Sequence, residues 1–131
     1  MSELVAAMPF AERLGLSVEA ASKDEVRGSF GWTEELCTAG SVLHGGALMA
    51  AADSLGAICA YLNVPTGAST ATIESKTNFF RAVRGGRISL VSTPLHVGRA
   101  TMSRRKSRTT TGSVSRSSSR PRPWSRRLAQ C

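Results

Sequence analysis

Residues 43–56 read LHGGALMAAADSLG. From Gly45 to Leu62 nearly every residue is small and apolar, among them Ala47, Leu48, Met49, Ala50, Ala51, Ala52, Leu55, Ala57, Ile58 and Ala60. The one internal helix breaker is Gly56, and NVPTG at 63–67 ends the run, so the composition predicts a single helix. A helix apolar on almost every side is expected to be buried on most of them, and its alanines permit close approach of another backbone. Two features do not belong to a plain core helix. His44, Gly45 and Gly46 stand at its front, and one carboxylate, Asp53, stands in its middle.

The flanking sequence supplies the layers around that helix. PFAERLGL at 9–16 predicts a short N-terminal helix, and SVEAASKDEVRGSFGW at 17–32 predicts two strands around the turn SKDE, with Val18, then Val26, Phe30 and Trp32 on one face. CTAGSVLHGG is a loop. STATIESKTNFF, GRISLVSTPLHVG and a start at RATM are rich in Thr, Ile, Val and Phe and are bounded by Gly or Pro, and they predict successive antiparallel strands. A strongly curved antiparallel sheet wrapped around one central helix satisfies this order, an α+β domain.

The net charge of +8 is not an average property of the 131 residues. Residues 1–102 hold eight Lys and Arg against all nine Asp and Glu, whereas 103–131 hold nine Lys and Arg and no acid. The chain therefore divides into a globular part, 1–102, and a Ser/Arg-rich part, 103–131, whose composition cannot bury enough surface to offset its ordering entropy. No run of 18 or more apolar residues suggests a membrane span, and MSELVAAMPF makes a poor secretory signal. Cys37, Cys59 and Cys131 have no metal-ligand spacing, so no metal or cofactor is expected. A reduced, cytoplasmic protein is expected, with Cys59 acting as a small buried hydrophobe.

The chemistry concentrates in the helix. The first N–H groups of a helix lack partners and lie at the positive end of its dipole, where a polarised carbonyl or oxyanion can sit. Gly45 and Gly46 leave that end unobstructed, and they read equally as a tight loop-to-helix turn. His44 reads more readily as a structural hydrogen-bonding group than as a catalyst. Asp53 has Met49, Ala50, Gly56 and Ala57 at helical i±4 and i±3, so no helical cation neutralises it. It must be paired, face a wet cavity or keep its proton, and a catalytic carboxylate in a cleft competes with one bonded to backbone N–H groups of a loop. Gly45 and Asp53 are eight residues apart, roughly 12 Å along a helix axis. One chain cannot bring both to one carbonyl, so a shared site predicts a dimer with two equivalent sites at its interface.

LHGGALMAAADSLG, TIESKTNFFRAVRGG and LHVGRATM together resemble the hotdog-fold thioesterases of the phenylacetic-acid (PaaI) type over about residues 9–102. The matching landmarks, in order, are His44-Gly45-Gly46, Asp53, Asn78-Phe79, Gly85 or Gly86, and Gly98-Arg99. The resemblance implies hydrolysis of acyl-CoA thioesters by a homodimer or a dimer of dimers, with Asp53, Gly45, His44 and Thr72 as the catalytic group. The Gly45 N–H would polarise the thioester carbonyl. Asp53 of the other subunit would activate water or attack, and Thr72 would help position the water. Gly46, Thr38 and Asn78 are then expected at the substrate. Thr38 stands where many relatives carry an Asn or Gln. Arg81 and Arg84 suit the CoA phosphates, although a solvated basic turn is the commoner meaning of such residues. A hotdog protein that binds an acyl or CoA ligand without hydrolysing it is the alternative.

For 103–131 there are three readings: a basic arm that binds nucleic acid, a disordered tail without a role, and a frameshifted translation. Trp124 is the one aromatic in the tail, which gives base stacking thin support, and nucleic acid is not expected as a partner. The frameshift reading rests on codons. Thr109 to Gly112 can be written ACG ACG ACG GG, which one base earlier reads Asp-Asp-Asp-Gly. Arg120 to Trp124 can be written AGA CCC AGG CCG TGG, which at the same offset reads Gln-Thr-Gln-Ala-Val. Hotdog relatives carry an acidic hairpin turn and such a final strand in this order. The nucleotide sequence around Met102 tests the reading: a one-base shift is expected to restore strand-like residues from about position 103, and a coding sequence that no such shift restores rules it out.

Overall fold

The computed structural model describes residues 2–98, 102–105 and 110–111. Two short helices, α1 (Ser2–Ala6) and α2 (Pro9–Arg13), lead into the strand pair β1 (Ser17–Ala21) and β2 (Val26–Gly31). The turn between the strands is SKDE, where the Ser22 hydroxyl accepts the Glu25 N–H and the Ser22 N–H donates to the Glu25 carbonyl. A single 3-10 turn, Glu34–Leu36, and a loop closed by the Cys37–Leu43 bridge precede α3 (Gly45–Tyr61). After α3 come β3 (Arg87–Val97), β4 (Met102–Arg105) and β5 (Thr110–Thr111).

The sheet is antiparallel, in the order β1-β2-β3, with β4 and β5 both on the far edge of β3. β2 and β3 pair without interruption from Val26 opposite Ser92 to Gly31 opposite Arg87. A bulge follows Pro94 in the β3–β4 ladder, a place that tolerates the missing proline N–H. The ladder continues past the composition change at Met102 as far as Arg105. The remainder of the predicted basic tail, apart from Thr110–Thr111, lies outside the described residues.

Helix α3 lies across β2 and β3 and buries Ala47, Ala51, Leu55, Ile58 and Cys59 on one side, a stripe at helical spacing. Opposing it are Val26, Phe30, Ile88 and Leu90, alternate residues of the two strands. Gly28 sits at the centre of this contact. A Cβ there would lie 2.6 Å from the Ser17 carbonyl oxygen and 2.9 Å from a methyl of Leu55, so only glycine lets the helix seat this closely. On the opposite face of the sheet, Arg87 donates to Ser29 (2.9 Å) and to Ser17 (2.9 Å), and Ser29 donates to Glu19, which ties the three strands in register.

The predicted helices and the strands at 17–31 and 87–97 are present. The predicted strand STATIESKTNFF is not: residues 68–80 carry no strand and are mostly exposed. A strand exists only against another backbone edge. This segment instead runs beside α3 on the side away from the sheet, with Thr72 bonded to Asp53 and the Phe79 ring against Gly45. Among the described residues no ladder is formed with it.

Gly28→Ala forces a methyl against a fixed backbone carbonyl and a buried leucine. We expect it to destabilise the fold by about 1–3 kcal/mol, read as a lower midpoint in chemical denaturation with unchanged slope.

Candidate active site

The start of α3 is built by a cap. His44 has extended backbone (φ −64°, ψ 131°), and its Nδ1 accepts the Gly46 N–H at 2.8 Å. An Nδ1 that accepts leaves the proton of neutral imidazole on Nε2. The backbone of His44 is held as well, its N–H on the Leu36 carbonyl (2.8 Å) and its carbonyl on the Ala47 N–H (3.0 Å). The histidine side chain thus works as a helix N-cap, in keeping with the structural role its sequence context favours.

Neither glycine of the pair has a positive φ, so the turn itself does not demand them. Each has a neighbour close to where a Cβ would stand. A Cβ on Gly46 would lie 2.8 Å from the capping Nδ1 of His44, and a Cβ on Gly45 would lie 3.1 Å from the tip of the Phe79 ring. The Gly46 N–H is consumed by the cap. The Gly45 N–H meets no acceptor among the described residues, and it remains the donor at the positive end of the dipole.

A groove of about 470 Å³ opens at this point. Gly45 and Leu48 form one wall, the loop residues Thr38, Val42 and Leu43 a second, and the run Phe79–Val83 a third. The Thr38 hydroxyl turns back to donate to the Val42 carbonyl at 3.1 Å, so its proton is committed to its own loop. Arg84 reaches across and donates to the Gly40 carbonyl at 2.8 Å. That bond clamps the turn at Gly40 and Ser41, both in left-handed conformation (φ 79° and 56°), and so fixes one wall relative to another. Arg81 lines the groove and is exposed. Asn78 is exposed and does not line it.

Asp53 lies two residues past Ala51, about 200° around the helix from the buried stripe, and is partly exposed. The Thr72 hydroxyl stands 3.3 and 3.4 Å from its two carboxylate oxygens. The nine residues singled out in the sequence therefore divide. Gly45, Thr38 and Arg81 share the groove, and Asp53 and Thr72 pair further along the helix. His44, Gly46 and Arg84 brace the groove, and Asn78 stands apart. Phe79 stood out in the sequence as part of the Asn78-Phe79 landmark and Phe80 only as the end of a strand; both line the groove.

An antiparallel sheet with one long helix packed across it, a groove at the helix start and an acid on the helix's outer side, matches a hotdog-type fold. The thioesterase superfamily model matches residues 40–105, and the chain belongs to that family. The esterase PA1618 of Pseudomonas aeruginosa is 33% identical over 89 residues, which cover 67% of this chain and 61% of the relative. A mutant thioesterase PA1618 from the same organism, solved as a crystal structure, superposes with a TM-score of 0.78 at 28% identity, covering 84% of this chain and 81% of the other. The 1,4-dihydroxy-2-naphthoyl-CoA hydrolase of Escherichia coli is 37% identical over 57 residues, 44% of this chain and 42% of its own. The chain spans about three fifths of the length of the first curated relatives it matches. No helix among the described residues is long and apolar enough to cross a membrane.

His44→Ala removes the side chain that satisfies the Gly46 N–H. The expected loss is about 1 kcal/mol, a drop of several degrees in Tm by circular dichroism, partly regained by His44→Asn.

Proposed function

We propose that this chain hydrolyses acyl-CoA thioesters to a free acid and CoA, in a site shared by two subunits. The observation that carries the reading is the Thr72–Asp53 contact on the side of α3 that its own sheet does not cover. A carboxylate there faces outward, where a second copy of the helix can approach it. In the proposed dimer the carbonyl oxygen accepts the Gly45 N–H of one protomer. Asp53 of the partner subunit takes a proton from water as the water adds to the carbonyl carbon, the C–S bond breaks, and the leaving CoA thiolate takes up that proton. In the other route the Asp53 carboxylate itself adds, the C–S bond breaks to leave a mixed anhydride, and water then splits the anhydride into the free acid and protonated Asp53, whose proton the thiolate takes up. Thr72, bonded to the carboxylate, holds the acid in place. Arg81 at the groove mouth would meet a CoA phosphate, whereas Arg84 is engaged in holding the Gly40 turn. The naphthoyl-CoA hydrolase among the relatives supports a CoA thioester as substrate class.

Asp53→Asn keeps shape and removes the base. We expect kcat for CoA release to fall about 10²- to 10⁴-fold with KM changed little. Thr72→Ala is expected to cost about tenfold. Specific activity should fall on dilution through the dimer dissociation range. Full-rate CoA release by Asp53→Asn, across aryl- and alkanoyl-CoA thioesters, would show that the carboxylate is not the catalytic group.

A further inference from the structure

We infer that Phe79 is a specificity-determining residue, the wall that limits what can be attached to the carbon next to the reacting carbonyl; this rests on the hydrolytic reading above. Gly45 has ordinary helical backbone, so conformation does not explain its being glycine. The Phe79 ring does. Its tip and both flanking ring atoms lie 3.1, 3.4 and 3.4 Å from where a Cβ would be. The ring therefore occupies the side-chain space of the residue whose N–H has no acceptor among the described residues.

Geometry then constrains the ligand. An oxygen bonded to the Gly45 N–H sits about 2.9 Å from the nitrogen. Its carbonyl carbon is one bond further on, and of that carbon's two substituents, the sulfur and the acyl carbon, we place the acyl carbon against the ring. Apolar walls nearby are Leu48 on the helix and Val42 and Leu43 on the loop clamped through Arg84 and Gly40, with Phe80 and Ala82 beside Phe79 on its own run. Phe79 stands on a run without strand pairing and is half exposed at 53%. It is thus the wall whose size a substitution can change with least damage to the core. A flat aryl carbon or an unbranched methylene slides past an aromatic edge, whereas a branch at that carbon meets it. Removing the ring should admit the branch, and an added methyl in an apolar pocket is worth about 10- to 200-fold in selectivity.

The test uses the full chain with Phe79→Leu, Phe79→Ala, Gly45→Ala and the Gly45→Ala/Phe79→Ala pair. CoA release is measured from butyryl-CoA, isobutyryl-CoA and benzoyl-CoA, and Tm for every variant. We expect Phe79→Ala to raise the isobutyryl-to-butyryl ratio of kcat/KM at least tenfold, with Phe79→Leu between it and the parent. Gly45→Ala should lower Tm, and the double variant should regain most of the loss, because the added methyl then occupies the space the ring vacated. That second readout needs no turnover. If the parent chain hydrolyses these thioesters and the ratio stays within twofold in both Phe79 variants, the assignment of Phe79 is overturned and the hydrolytic reading stands. If the parent releases CoA from none of them, the hydrolytic reading fails and this inference with it. Additive losses in the Tm cycle would show that ring and glycine do not share the space, which also overturns it.

Discussion

Helix α3 can lie on the sheet only because β2 has no side chain at Gly28. That missing atom sets the distance between helix and strands. Leu55 fills the space, and a Cβ would collide with it and with the Ser17 carbonyl on the neighbouring strand. Everything else about the site is measured from this contact. The buried stripe from Ala47 to Cys59 is turned to the sheet, so Asp53, about 200° away, is turned from it. At the helix start, the loop from Thr38 to Leu43 and the run from Phe79 to Val83 close a groove.

The helix therefore carries two partial sites that cannot serve each other within one chain. The donor end is finished by the His44 cap, which absorbs the Gly46 N–H and leaves the Gly45 N–H available. The acid end is finished by Thr72. One irregular segment visits both, its Thr72 at the acid and its Phe79 at the donor. The short path between the two contacts means that a change in how this segment lies would reach both ends of the helix at once.

Much of this was legible in the sequence, for a local reason. A helix of small apolar residues and a strand pair with alternating Val26, Phe30 and a polar turn announce themselves through nearest-neighbour periodicity. Asp53 stood out because no helical cation lay within a turn of it. What escaped detection depends on contacts across long separations. The run STATIESKTNFF has strand composition, but a strand is defined by its partner, and composition does not reveal which edge is on offer. The glycine pair read equally as a tight turn and as an unobstructed helix start. Only the positions of the Phe79 ring and the His44 imidazole show that each glycine is held by a different neighbour. Arg84 suited a phosphate or a solvated basic turn, and its bond to the Gly40 carbonyl, a pairing 44 residues apart in the chain, could not be read from either.

The ladder between β2 and β3 carries a consequence for how the molecule assembles. Phe30 pairs with Ile88 and Val26 with Ser92, so closing it brings together residues some sixty positions apart, with α3 inside the loop being closed. Loop closure of that span is entropically costly until contacts compensate it, and such pairings form slowly. The β1–β2 hairpin and α3 are complete in the chain before β3 begins. During synthesis the apolar stripe of α3 has half its cover in β2 and waits for Ile88 and Leu90 to supply the rest. The order of elements along the chain makes β3 the closing event.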